Sequence, residues 1–329
     1  MTARTGLTQW IGALASAATA KQARAAGALR HLVGPALGTE DLEEREERAA
    51  ARHQLEQALA ASGGLAGRAG ARWLDDEIGH QNNRESVAEL TAEILVEDDG
   101  NGDSGEEPTL DPDWLNLFAS HAEKASGDSL REMWARVLAG EIRKPGAISL
   151  RTLQFASTLD LPTAKAMQAM ASWVYNGTNL PYLAGKKLPF ETLQLLHDEG
   201  LIGSLDSNIT NSVTLPEGWA AAMFGDIGVF FKGSPGQVLS LPGISVSRVA
   251  KEFLGTISLT RDQAVPLAFA EDLQNDSLIQ AIRVGPCQRK PDGTFDMPGA
   301  TLIKDWTRPI FVPPVTPGMP GMPYRPPGT

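Results

Sequence analysis

The chain has 329 residues, of which 42% are hydrophobic and 21% charged, and its formal net charge is −11. This length and composition suit a globular protein of one large or two ordinary domains, and they exclude wholesale disorder. The acidic balance disfavours broad binding to nucleic acid or to anionic membranes, because both surfaces repel negative charge. The single cysteine, Cys287, excludes an intrachain disulfide, so we expect a reducing, cytoplasmic compartment.

The first 96 residues predict an N-terminal helical arm. Residues 7–33 are rich in alanine and carry larger apolar residues at helical spacing. Residues 39–61 predict a second helix with glutamates near its start, and residues 73–95 predict a third with a possible bend at Gly79. Thin apolar stripes bury little area, so these helices predict an extended hairpin or an arm for self-association. We expect neither a secretion signal nor a membrane span, because no run of about 18 apolar residues occurs.

Residues 97–110 form an acidic, glycine-rich stretch that predicts a linker. The alternation of Asp and Asn with glycine also suits a calcium-binding loop. Counting from Asp98, however, the twelfth position is Thr109 instead of the glutamate that such a loop requires. We therefore interpret the stretch as a linker between the arm and the following module.

Residues 111–176 predict a compact module of four short helices. Asp111 is a natural N-cap before Pro112, and Ser129 with Glu132 matches a capping box. The second helix of the module has a regular apolar stripe, which places Trp134 in the core. The residues of that stripe are Leu130, Met133, Trp134, Val137, Leu138 and Ile142.

Residues 177–305 predict a mixed α/β portion, so the fold class is α+β and mainly α, with N-terminal helices and a central helical bundle. Helices are predicted at 190–197, 246–254 and 261–273, and strands at 201–202, 209–215, 228–232, 238–241, 278–284 and 301–303. The order of elements within 190–241 has a winged-helix-like outline. Residues 306–329 predict a proline-rich tail with few core residues.

Recognised catalytic and metal-binding motifs are missing from the sequence. The five histidines are scattered, and neither a phosphate-binding glycine loop nor a nucleophile elbow occurs. The sequence therefore predicts no catalytic residue, no metal and no cofactor.

One polar cluster remains as a candidate site, formed by Arg136, Glu141, Arg143, Lys144 and Arg151, with Pro145 in the adjoining turn as a further candidate residue. A functional interpretation places Glu141 and Arg151 in a pocket at the turn around Pro145. A structural interpretation has Glu141 capping the backbone amides of residues 149–152 or pairing with Arg151, which fixes the angle between two helices. We favour the structural interpretation. Lys186 and Lys187, just before the helix at 190–197, are candidate contacts to DNA.

The centre of the chain resembles a bacterial family known only as a domain of unknown function. The similar residues are Trp134–Glu141 (WARVLAGE), then Pro145-Gly146, then Ser149–Leu153 (SLRTL). Similar segments at 81–87 and 199–202 extend the resemblance over residues 73–305. The pattern at 134–138 is also similar to alpha-type abortive-infection proteins, which act against phage. The resemblance implies no established activity and no catalytic residues.

Three hypotheses follow from the sequence. The first is a non-enzymatic interaction or scaffold protein in bacterial anti-phage defence, which binds a protein partner or associates with itself. The second is a winged-helix-type DNA-binding protein, which the net charge disfavours. The third is an enzyme with an unrecognised site near Glu141 and Arg151.

Overall fold

The computed structural model describes residues 20–34, 50, 53–54, 57–58, 61, 64–96, 109–205, 209–256, 262–287 and 302–308. Within these residues the protein is α+β and mainly α, which confirms the predicted fold class. The chain forms two compact units, Met1–Thr210 with Pro242–Asp262 and Asn211–Leu241 with Gln263–Thr329. The predictions for residues 1–19, 35–49, 97–108 and 309–329 lie outside the described residues, and the five-part domain division stays a prediction.

Nine of the described helices belong to the first unit. They are α1 (Ala20–Val33), α2 (Gly64–Val96), α3 (Pro112–Ala122), α4 (Asp128–Arg143), α5 (Leu150–Ser157), α6 (Leu161–Ala171), α7 (Tyr182–Lys187), α8 (Phe190–Asp198) and α9 (Arg248–Thr256). Helix α2 is continuous through Gly79, so the chain does not leave the helix at this residue. No helix among the described residues is both long and apolar enough to cross a membrane.

Side-chain caps set the start of three of these helices, because the first backbone N–H groups of a helix have no partner within it. Asp111 accepts from the N–H of Asp113 at 2.8 Å, and Asp160 accepts from that of Thr163 at the same distance. Ser149 caps α5. The predicted capping box of α4 is wrong. This helix begins at Asp128, so Ser129 already lies inside it and Gly127 is the N-cap.

The core of the first unit forms around α4. Trp134, Val137, Leu138 and Ile142 are each at most 1% exposed, which confirms Trp134 as a core residue. Phe118 of α3 meets the Trp134 ring edge-on, with 5.6 Å between ring centroids. Burial of each such side chain stabilises the fold by roughly 1.5–3 kcal/mol. Helices α1, α2 and α3 pack in this region, with α2 lying along α4.

A three-stranded sheet follows α6 along the chain. Its strands are β1 (Asn179–Pro181), β2 (Ile209–Thr214) and β5 (Val238–Ser245), in the order β1-β5-β2. Strand β1 runs antiparallel to β5, with Leu180 opposite Ile244. Helices α7 and α8 lie between β1 and β2 in sequence, and α8 packs against α6. The predicted strand at 201–202 is reduced to an isolated bridge between Ile202 and Val246.

The second unit contains a four-stranded antiparallel sheet. Its strands are β3 (Ala220–Phe224), β4 (Ile227–Gly233), β6 (Ile279–Pro286) and β7 (Lys304–Thr307), in the order β3-β4-β6-β7. Helix α10 (Ala264–Gln274) packs on β4 and β6, and Phe269 meets Phe224 with 5.2 Å between ring centroids. The strand predicted at 301–303 instead begins at Lys304, where it pairs with Val284 of β6.

Candidate functional site

The candidate residues are distributed over α4, the turn that follows it and α5. We use the name α4–α5 joint for Gly140, Glu141, residues 144–152 and Glu252. Glu141 is only 2% exposed at the end of α4. One carboxylate oxygen, Oε1, accepts from the backbone N–H of Gly146 at 2.6 Å, and Oε2 accepts from that of Ile148 at 2.9 Å. Both oxygens of Glu141 therefore hold the backbone of the turn.

Glu252 of α9 completes the joint from a distant part of the chain. Its Oε2 accepts from the backbone N–H and the hydroxyl of Ser149, both at 2.7 Å, and from the hydroxyl of Thr152 at 2.6 Å. Its Oε1 accepts from Arg248. The negative charge lies at the N-terminus of α5, where the helix dipole favours it. Glu252 thus fixes the start of α5 against α9.

Gly140 allows α9 to approach α4 closely. A Cβ atom at this position would lie 2.8 Å from Cγ2 of Thr256, closer than such contacts occur in proteins. A second glycine, Gly146, has a φ of +79°, a left-handed conformation that glycine adopts without strain. These two positions explain why the stretch from α4 to α5 contains glycine where alanine is the better helix former.

The two carboxylates of the joint respond to their surroundings in opposite ways. Burial raises the pKa of Glu141, and the hydrogen bonds from Gly146 and Ile148 offset that rise only in part. Burial alone would also raise the pKa of Glu252. There, however, the hydrogen bonds from Thr152, Ser149 and Arg248 prevail and lower the pKa. The joint therefore holds Glu252 in its charged form more firmly than Glu141.

The other predicted site residues do not converge on Glu141. Arg136 donates to Glu132 on its own helix, with 2.8 Å from Nη2 to Oε1, and Pro145 lies half-buried in the turn. Arg151 is exposed on α5. The expected pairing of Glu141 with Arg151 is replaced by the two bonds to the turn backbone. The expected capping of residues 149–152 is provided by Glu252 instead.

A cleft of about 440 Å³ lies between α2 and α4, and we call it the α2–α4 cleft. Helix α2 contributes Glu89, Leu90, Glu93 and Ile94, and α4 contributes Glu132 and Arg136 among others. Sequence reasoning singled out Arg136 but missed the cleft, because the two walls are about forty residues apart in the chain. Burial, together with repulsion from Glu85 and Glu93, raises the pKa of Glu89.

The surface formed by α7 and α8, which we call the α7–α8 surface, combines apolar and acidic groups. Tyr182 and Phe190 are 44% and 67% exposed. Three acidic residues of this region are exposed, namely Glu191, Asp198 and Glu199. Lys186 and Lys187 belong to the last turn of α7, and the Lys187 side chain is exposed, whereas that of Lys186 lies outside the described part of the structure.

Comparison with known proteins gives one match. Residues 67–200 match the family described as "Protein of unknown function (DUF2806)". This confirms the resemblance to a domain of unknown function over these residues, which run from α2 to α8. No curated protein and no solved structure matches the chain. The matched region contains the α2–α4 cleft and every part of the α4–α5 joint except Glu252, while the motif and the similarity to abortive-infection proteins stay predictions.

Proposed function

We propose that this protein acts through contacts with another protein and not by catalysis. The observation that carries the proposal is the α7–α8 surface, where the large aromatic side chain of Phe190 is 67% exposed at the start of α8. Exposed aromatic residues are typical anchors of protein interfaces. The α4–α5 joint supports the same view, because Glu141 is only 2% exposed and both of its carboxylate oxygens accept hydrogen bonds from the turn backbone.

The order of elements around α8 supports a winged-helix element. The chain runs α6, β1, α7, α8 and β2, and the strands β3 and β4 of the four-stranded sheet follow before β5. The three-stranded sheet has the order β1-β5-β2, so β2 and β5 are neighbouring strands separated in sequence by that hairpin. In this outline α7 and α8 form a helix–turn–helix, with α8 at the position of the recognition helix. A recognition helix presents its exposed face to a partner, and so its chemistry indicates the class of that partner.

The chemistry of α8 favours protein over DNA. Residues 190–199 contain neither lysine nor arginine, and Glu191, Asp198 and Glu199 are all exposed. DNA affinity depends on cations that neutralise phosphates, and three carboxylates would repel the DNA backbone. Phe190 and Tyr182 instead offer apolar area that a protein can bury.

The test is a quantitative pull-down from a lysate of the native host. The bait is the full chain as the wild type, as the variant Phe190→Ser, or as the matched control Ile303→Ser. Ile303 is also exposed, at 44%, but belongs to the second unit. We expect Phe190→Ser to lose at least one captured protein that the wild type and Ile303→Ser retain, while all three unfold at the same temperature. Capture of the same proteins by all three would contradict the proposal.

DNA binding is a second candidate, favoured by the winged-helix order of elements and by Lys186 and Lys187 at the end of α7. It predicts binding of duplex DNA at low salt that weakens as salt rises and after Lys186→Ala with Lys187→Ala. Fluorescence anisotropy measures this directly. If no duplex DNA binds even at low salt, this candidate is removed.

Self-association through the N-terminal arm extends the proposal. Along the first half of α2, Leu65 is 78% exposed and Trp73 is 58% exposed. Burial of these side chains against a second copy would stabilise a dimer. Light scattering of the full chain is expected to give a mass above that of the monomer and to fall to the monomer mass after Leu65→Ser with Trp73→Ser. A monomeric wild type would contradict this part of the proposal.

A role in anti-phage defence rests on the sequence resemblance alone. It predicts that cells producing the protein plate phage less efficiently than cells without it, and that Phe190→Ser restores plating. Equal plating over a broad phage panel would contradict this role and leave the interaction proposal intact.

A further inference from the structure

The α2–α4 cleft is lined by both apolar and charged side chains. Leu90 and Ile94, one helical turn apart on α2, are both half-buried, so part of each side chain still faces solvent. The volume of about 440 Å³ accommodates a row of side chains and not a whole helix. A groove of this form suits an amphipathic helix that lies along it and inserts one apolar face.

The cations of the cleft are already committed to neighbours within the chain. Arg131 donates to the carbonyl of Ala125 at 2.9 Å and to Asn83 at 2.9 Å, and it pairs with Asp128 at 3.1 Å. Arg136 donates to Glu132 through both Nε and Nη2. Within the part of the chain that the structure describes, neither guanidinium forms an ion pair with Glu89 or Glu93.

Three carboxylates form a ridge along α2, and two of them, Glu89 and Glu93, line the cleft. Glu85, Glu89 and Glu93 follow one another at four-residue spacing, so their charges lie on one face of the helix and repel each other. Among the described residues neither Glu89 nor Glu93 has a hydrogen-bond or ion-pair partner. This arrangement costs stability in the isolated chain, and a bound cation would relieve the cost.

We propose that the α2–α4 cleft is a docking groove for a basic amphipathic helix of a protein partner. Lysine or arginine residues of that helix, spaced by four, pair with Glu89 and Glu93, and its apolar face contacts Leu90 and Ile94. Because the two carboxylates are negatively charged, they favour a partner with positive charge, and their four-residue spacing matches the repeat of a helix. The inference rests on the proposed action through protein contacts and adds a second surface with a defined partner chemistry.

The test uses fluorescence anisotropy with three labelled helical peptides of roughly 18 residues and the full chain. The first peptide carries arginines spaced by four beside a leucine stripe, the second replaces the arginines with glutamates, and the third scrambles the first. We expect the basic amphipathic peptide to bind at least tenfold more tightly than the scrambled one. The acidic peptide is expected not to bind, and rising salt should lower the affinity for the basic peptide.

Variants of the cleft locate the binding. Glu89→Gln with Glu93→Gln is expected to weaken the binding of the basic peptide about tenfold. Ser86→Trp places a large side chain in the cleft and is expected to abolish the binding. Glu77→Gln, an exposed carboxylate of α2 outside the cleft, is expected to change nothing. Thermal unfolding of each variant separates lost binding from lost folding.

Three results would overturn the docking proposal. Equal binding of the basic and scrambled peptides would show attraction by charge alone, and an unchanged affinity after Glu89→Gln with Glu93→Gln would place the peptide elsewhere. If a second copy of the chain occupies the cleft, light scattering should give a mass above that of the monomer, and this mass should fall after Glu89→Gln with Glu93→Gln. No peptide would then bind, and this result also overturns the docking proposal. The pull-down with Phe190→Ser separates this proposal from the proposed function. If that variant loses a captured protein while the peptide experiment fails, only the proposal for the cleft is overturned.

Discussion

In the α4–α5 joint the carboxylates of Glu141 and Glu252 accept hydrogen bonds through all four of their oxygens. In the α2–α4 cleft Glu89 and Glu93 accept none from the described residues. The burial differs as well, because Glu141 is buried, whereas Glu89 is half-buried and Glu93 is exposed, so solvent reaches the carboxylates of the cleft. A buried carboxylate without donors costs stability, whereas one with donors fixes the backbone around it. We therefore propose that the carboxylates of the joint stabilise the fold and that those of the cleft are available to a partner.

The largest expected effect is that of Glu141→Gln. The glutamine amide would present N–H groups to one of the two backbone donors, Gly146 or Ile148, and would leave that donor unsatisfied. We expect a loss of about 2–3 kcal/mol in the free energy of unfolding. Glu132→Gln, an exposed position on the same helix, is the control and should change stability by less than about 0.5 kcal/mol. A loss at Glu141 no larger than the control would show that the turn does not depend on its carboxylate.

Glu252→Gln is expected to cost somewhat less, about 1–2 kcal/mol at neutral pH, because a neutral amide accepts weaker bonds from Ser149 and Thr152. The folded-state pKa of Glu252 is lowered below the ordinary value of 4.5. Its charge therefore contributes stability above about pH 4.5, and this contribution is lost as the pH falls through the lower folded value. Urea unfolding at a series of pH values should show the wild type and the variant converging in acid. A constant difference at all pH values would contradict the account.

Gly140→Ala is expected to lose about 1 kcal/mol even though alanine favours a helix, because the new methyl group meets Thr256. Thr256→Ser removes the methyl group in contact and keeps the hydroxyl that donates to Phe253. The double variant should therefore recover most of the loss in a thermal melt. If Gly140→Ala alone stabilises the protein, the close approach of α4 and α9 is not the reason for this glycine.

The smallest effect has the opposite sign. Glu89→Gln with Glu93→Gln removes the repulsion along the ridge that includes Glu85, so it should stabilise the chain by roughly 0.4–1 kcal/mol at low salt. High salt should reduce the gain, because it screens the repulsion in the wild type. A gain that does not depend on salt would point to a cause other than charge.

Local signals in the sequence predicted much of the helical core. Asp111 and Ser149 mark helix starts that the structure confirms, and the apolar stripe correctly placed Trp134 in the core. Elements without a local signal were missed. Strand β1 has three residues and ends in Pro181, and β3 contains three consecutive alanines, which are poor strand formers. Both strands form because a neighbouring strand pairs with them.

The candidate site was predictable only where its parts are close in sequence. Glu141 and the turn around Pro145 lie within one motif, so the structural interpretation of Glu141 could be proposed, although its partners differ from those expected. Glu252 lies 103 residues after Ser149, and no spacing rule connects the two. The α2–α4 cleft escaped prediction for the same reason. Tertiary packing brings its walls together.

The most direct test of the contrast between joint and cleft is urea unfolding of Glu141→Gln beside Glu89→Gln with Glu93→Gln, at neutral pH and low salt. The account predicts opposite signs, with the joint variant less stable than the wild type and the cleft variant more stable. If both variants lose stability to a similar degree, the cleft carboxylates are structural as well, and the separation of a satisfied joint from an available cleft is contradicted.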